Sequence, residues 1–97
     1  MRLAITRSGF FTADHYCADA RSAKKILREN KVSLVAIDYQ LVGETNGCEV
    51  LAWAAQHALL PNYVVVIESN RVRRTQLAIQ LQKVGYRSGD QTTFIRC

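Results

Sequence analysis

The sequence predicts an α/β fold of three layers, doubly wound around a mostly parallel five-stranded sheet, and three observations carry that expectation. From Val32 to Asp38 an apolar run rich in β-branched residues ends abruptly in a carboxylate, as a strand covered on both faces does when it delivers an acid to a loop rim. Such runs alternate with segments whose apolar residues recur at helical spacing, and right-handed crossovers make parallel neighbours of the strands they join. The first connection is the exception, because it is too short for a full helix.

Arg2–Thr6 reads as the first strand, Arg7–Asp14 as a loop holding Gly9 and the Phe10–Phe11 pair, and His15–Ala18 as a short second strand. Asp19 is a good N-cap, since its carboxylate can accept from a free backbone N–H, and Ala20, Ala23, Ile26 and Leu27 share one face of a helix running to about Asn30. Val32–Asp38 is the third strand. A second helix spans about Gly47–Leu59, with Val50, Leu51, Ala54 and Ala58 as its apolar stripe and Pro61 to stop it. Tyr63–Ile67 is the fourth strand. The third helix, Arg71–Val84, turns Leu77, Ala78, Leu81 and Val84 inward and Arg73, Gln76, Gln80 and Lys83 to water; Gly85 fits its C′ position and Thr92–Arg96 forms the fifth strand.

At 97 residues the chain makes one domain, 1–97, large enough for a core without metal or disulfide staples. No run approaches the ~20 apolar residues of a membrane span, and MRLAITRSG lacks the apolar stretch of a signal peptide, so a cytoplasmic protein with no membrane partner is expected. Cys17, Cys48 and Cys97 suit neither a disulfide framework nor a CxxC ligand set, which predicts reduced thiols with Cys97 the most exposed. Charge is segregated: seven Lys/Arg and three acids up to Ile37, four acids and no Lys/Arg from Asp38 to Asn70, then six Lys/Arg and one acid. An acidic centre between basic arms can attract a cation, a polyanion or a second copy of the chain.

Ligands of open α/β sheets bind at the carboxyl ends of parallel strands, so Asp38 marks the place to look for a site. After the fourth strand Asn70 can cap the third helix, yet Arg71, Arg73 and Arg74 crowd its first turn, where the helix dipole disfavours cations by a few tenths to ~1 kcal/mol each. Free N–H groups beside arginines make an anion site of Ser69, Asn70, Arg71 and Arg74, suited to a phosphate-containing ligand or an acidic protein partner. The competing structure has Glu68 or Glu44 neutralise those arginines within the monomer. Glu49 suits the first turn of the second helix, Gly47 permits its tight start, and His15 and His57 carry no motif. Trp53, at the edge of the apolar stripe, suits packing or an oligomer contact. Nucleic acid is not expected, because no stacking aromatics lie between the basic residues and no reading helix is evident.

Ile37-Asp38-Tyr39-Gln40-Leu41, Asn46-Gly47, Glu49-Val50-Leu51, Trp53 and Glu68-Ser69-Asn70, together with the missing first helix, carry a family likeness. On these residues the chain resembles a degenerate response-regulator receiver domain, and within that class the small cyclic-phosphate-processing receiver-like family. That family has Leu-Asp-His-Asp-Leu, Asp-Gly, Asp-Val-Leu, Trp, and His-Ser with a nearby Asn at the corresponding places. The resemblance implies a receiver or flavodoxin-like fold lacking its first helix. It also places Asp38 where receivers accept phosphoryl or help bind a cation.

The departures are as informative. Thr6 and Arg7 stand where the family has two acids, Tyr39 and Gln40 replace a His and an Asp, and Glu68 replaces a His. No Lys follows the last strand, Arg96 being the residue in that neighbourhood. Magnesium wants several oxygen ligands, usually including one or two carboxylates; Asp38 alone is thin, Glu68 could restore a second, and Arg7 puts positive charge where the metal should sit. An Asp38–Arg7 salt bridge in the vacated position, with no cofactor or metal, is therefore expected. The functional expectation is a non-catalytic binding or assembly module that forms a homodimer. In it the basic turn of the third helix or an adjoining face meets the partner's acidic rim, and Trp53 and Tyr63 offer aromatic surface. The alternative is a magnesium-dependent enzyme acting on phosphorylated or cyclic-phosphate small molecules or RNA ends, with Asp38, Glu68 and Ser69 as catalytic residues.

Overall fold

Four short segments build the parallel half of the sheet, apolar but for the edge strand β2: β1 (Arg2–Ile5), β2 (His15–Cys17), β3 (Leu34–Ile37) and β4 (Tyr63–Val66). Helix α1 (Ala20–Glu29) joins β2 to β3, α2 (Gly47–Gln56) joins β3 to β4, and α3 (Arg71–Lys83) leads to β5 (Tyr86–Arg87) and β6 (Thr93–Arg96). The computed structural model describes residues 1–7, 11–90 and 92–97, so Gly9 and Phe10 of the predicted loop lie outside the described residues. Strand order is β2-β1-β3-β4-β6-β5. None of the helices among the described residues is long and apolar enough to cross a membrane.

Each helix starts on a residue whose side chain accepts an otherwise unmatched backbone N–H: Asp19 from Ser22, Asn46 from Glu49 and Asn70 from Arg73. The end of α2 differs from the expectation. It stops at Gln56, well before Pro61, because Ala58 adopts φ 56° and the Leu59 N–H turns back to the Ala54 carbonyl at 2.8 Å. That is a Schellman-type end with alanine where glycine is preferred. Ala58→Gly should therefore stabilise the protein by about 0.5–1 kcal/mol, seen as a higher urea midpoint at unchanged slope. A lower midpoint would contradict the assignment.

The sheet departs from five strands because the last segment is a hairpin. β6 runs antiparallel to β4, and β5 pairs antiparallel with β6 on the outer edge. Asp90 shapes the intervening turn by accepting from the Thr92 and Thr93 N–H groups at 3.0 and 2.9 Å, and these bonds hold its carboxyl down at about 2. Reversal of the last strand carries Arg96 away from the Asp38 rim. Its N–H bonds the Asn62 carbonyl at 2.9 Å, and its guanidinium donates to the Leu60 carbonyl and to the Tyr86 hydroxyl at 3.2 Å.

Register separates the two faces. Leu3, Val35, Val64 and Phe94 share a row, as do Ile5, Ile37 and Val66, and all join α1, α2 and α3 residues in one core. The three helices line up on that face, α2 packing between α1 and α3, because each crossover steps the same way across the sheet. Among the parallel connections only the β1-to-β2 step goes the other way, and no helix among the described residues lies there. Arg2, Ala4, Leu34, Ala36, Tyr63 and Val65 point to this second side. Phe11 crosses it with the Arg2 guanidinium 5.4 Å from its ring centre.

Candidate functional site

Parallel register dictates the rim. Ile5 lies opposite Ile37, so the next residues, Thr6 and Asp38, emerge side by side at the carboxyl ends of β1 and β3. The Thr6 hydroxyl donates to Asp38 Oδ2. The expected Asp38–Arg7 salt bridge does not form: no ion pair closes between them, and Arg7 acts on Asp38 through its charge at longer range. Thr6 is the partner that sequence reasoning passed over. Its position one residue beyond β1 was the available signal.

Glu68 does turn toward the rim, but both of its oxygens are engaged. Oε1 accepts the Tyr39 N–H at 3.1 Å and Oε2 the Asn70 N–H at 3.0 Å, so the carboxylate staples the β3 loop to the start of α3. Its bonds go to backbone amides, not to the arginines of α3. Burial pushes the Asp38 carboxyl above its ordinary value, the Thr6 bond pulls it back, the Glu68 charge raises it and the Arg7 charge lowers it.

Asp38, Glu68 and Ser69 therefore line one open cleft of about 830 Å³, together with Arg7, Phe11, Gln40, Ile67 and Arg73. Arg73, expected in water, is half-buried: Nη1 donates to Gln40 Oε1 at 3.0 Å and the guanidinium lies 5.7 Å from the Tyr39 ring centre. Arg71 and Arg74 go elsewhere, to a smaller depression with Thr75, Ile79, Gln82 and Ser88. Of the predicted anion site, Ser69 thus lines the cleft, Arg71 and Arg74 line the other depression and Asn70 caps α3 between them, with Arg73 as the arginine of α3 that faces the cleft.

Trp53 is half-buried under α1, with Lys24 and Arg28 within 5.4 and 5.9 Å of its ring centre and His57 stacked on it at 4.6 Å. Its face is already covered from within the chain. All three cysteines are free, and burial, aided by the Asp19 charge, pushes the Cys17 thiol up to about 11.

The donor set can be tested against the magnesium that the fold class suggests. One Asp38 oxygen is held by Thr6, both Glu68 oxygens accept amides, and Arg7 sets a positive charge at the same rim. Among the described residues no group of three His, Cys, Asp or Glu side chains is disposed to hold a metal. These residues do not fit the ion as they stand.

The fold is a receiver-like α/β one, with three helices and a six-stranded mixed sheet among the described residues. Among solved structures the chain is similar to the MaeR response regulator bound to beryllium trifluoride, at a TM-score of 0.61 and 21% identity over 82% of this chain and 76% of that one. No family model and no curated relative matches the sequence.

Proposed function

We propose that the chain is a receiver-like binding and assembly module that does not transfer phosphoryl groups. The observation that carries this reading is the Thr6–Asp38 hydrogen bond: the position that would offer an acid offers a hydroxyl, and it occupies the carboxylate it would have assisted. Glu68 supports the same view, because its oxygens serve as a backbone clamp. Cytoplasmic residence fits the three free thiols. The module self-associates as a homodimer, and the arginines of α3 supply attraction for acidic partners or phosphate.

A magnesium-dependent enzyme acting on phosphorylated small molecules is the second reading, since Asp38, Glu68 and Ser69 do share one cleft. It requires Thr6 and the two amides to release their carboxylates. Thermal melts with magnesium, manganese, phosphate and nucleotides separate the two, because a ligand that binds only the folded state raises its melting temperature. The module reading expects no change with magnesium in the wild type or in Asp38→Asn. Stabilisation of the wild type alone would favour the enzyme.

Asp38→Asn has a second expected effect. A carboxyl raised by burial binds its proton more tightly folded than unfolded, so its ionisation removes stability as pH climbs from the unfolded value through the folded one. Asparagine avoids that loss and still accepts from Thr6. The variant should melt at a higher temperature than the wild type at about pH 7, with the gap closing toward about pH 4. An equal gap at both ends would contradict the burial argument.

A further inference from the structure

Among the described residues of the β1–β2 connection, Phe11 and Asp14 meet only the Arg2 edge of the second side of the sheet. Ala4 and Ala36, in its middle row, are fully buried, whereas Tyr63 and Ile95 are each 48% exposed. These two pair in register, Leu34 lies beside Tyr63, and Val65 with Thr93 forms the adjoining row, all three half-buried. The result is an apolar face over β3, β4 and β6 with no helix on it among the described residues.

Resting on the assembly reading above, we propose that a second copy of this chain covers this face, sheet against sheet about a two-fold axis. Charge argues for that occupant. Arg2 and Arg87 mark the end of the face where β1, β3 and β4 begin, Arg87 lying in register with Ile95. Asp38 and Asp90 mark the other end, beyond β3 and at the tip of the β5–β6 hairpin. Each end also holds opposite charge: Asp14, bonded to the Arg2 N–H at 2.7 Å, at the first, and Arg7 and Arg73 in the Asp38 cleft at the second, where Glu68 adds to the negative side. A two-fold axis lying between the sheets and across the strands turns one copy end for end. It sets the arginine end of each over the aspartate end of the other, so that one favourable contact is made twice.

Composition agrees. The face offers Tyr, Ile, Leu, Val and Arg; Lys24, Lys25 and Lys83 lie on α1 or α3, and Lys31 alone among the lysines reaches its edge, in a depression shared with Tyr63. Enrichment in aromatics and arginine with lysine depleted is the signature of an interface core. Size sets the strength. The body measures 29 × 25 × 24 Å, so a whole side spans roughly 600 Å² and its uncovered part less, below the ~800 Å² per partner of a standard interface, and the dimer should dissociate at micromolar concentrations.

Light scattering and sedimentation of the full chain at tens of micromolar test this. The wild type should show twice the 10.9 kDa of one chain. Ile95→Lys and Tyr63→Lys, at positions half open to solvent, should weaken association at least tenfold while far-ultraviolet circular dichroism and melting stay those of a folded protein. Arg87→Glu gives the same test by charge alone and should weaken the dimer most at low salt. Val72→Lys and Ile79→Lys, on the exposed side of α3, should leave it intact. A dimer broken by the α3 variants but indifferent to Ile95→Lys, Tyr63→Lys and Arg87→Glu would overturn this interface and leave the assembly reading standing. A wild type with the mass of one chain would remove both.

Discussion

Phe94→Ala should be the most damaging single substitution, removing about 3–4 kcal/mol from a domain whose total stability is of order 5–15 kcal/mol. β6 has four residues and Phe94 alone among them is buried, at 1% exposure, in the row with Leu3, Val35 and Val64. The strand is held to the core by that side chain and to β4 by its ladder. Truncation leaves a cavity beneath β6 and frees the hairpin, so amide protection should fall first at the Val66 N–H, which bonds the Thr92 carbonyl at 2.7 Å. Phe94→Leu should recover most of the loss. A urea midpoint within experimental error of the wild type for Phe94→Ala would mean that β6 does not close the core.

Gly47→Ala should cost about 2–3 kcal/mol, for a steric rather than a conformational reason. Its N–H bonds the Tyr39 carbonyl at 2.7 Å, which draws the start of α2 onto the end of β3. A Cβ there would overlap the Asp38 carbonyl oxygen and stand 3.2 Å from Ile37 Cγ1. Backbone must move, and the backbone that moves carries Asp38. Urea denaturation would show the loss of stability, and chemical shifts of the Thr6 and Asp38 amides would report the displaced rim. A variant as stable as the wild type, with those shifts unchanged, would refute the close-packing argument.

The charge-crowded first turn of α3 shows where reading by local preference succeeds and where it stops. Asn70 caps the helix as its residue type suggests, accepting from Arg73 N–H at 3.0 Å. Which arginine would fold back was not legible, because Arg73 is chosen by Gln40 and Tyr39, residues far along the chain that the β3 loop brings opposite it. Glu68 is similar. Its identity announced a second carboxylate near the rim, while its occupation by two backbone amides depends on how two loops meet. The homodimer expectation drew on Trp53 and Tyr63 together; packing separates them, covering Trp53 with Lys24, Arg28 and His57 and leaving Tyr63 open on the sheet.

By itself the sequence determined the repeating units: three helices, two of them with their caps, four parallel strand segments and the carboxylate at the end of β3, because periodicity and capping are local properties written in adjacent residues. Tertiary structure alone decided the direction of β6, the remoteness of Arg96 from the rim, the engagement of Asp38 by Thr6 and the bareness of one side of the sheet. A strand has the same side-chain alternation whether it runs parallel or antiparallel, and a carboxylate has the same identity whether free or bonded. Those outcomes are set by which distant segments compete to bury apolar surface and satisfy polar groups, and that competition is resolved only when the chain has closed on itself.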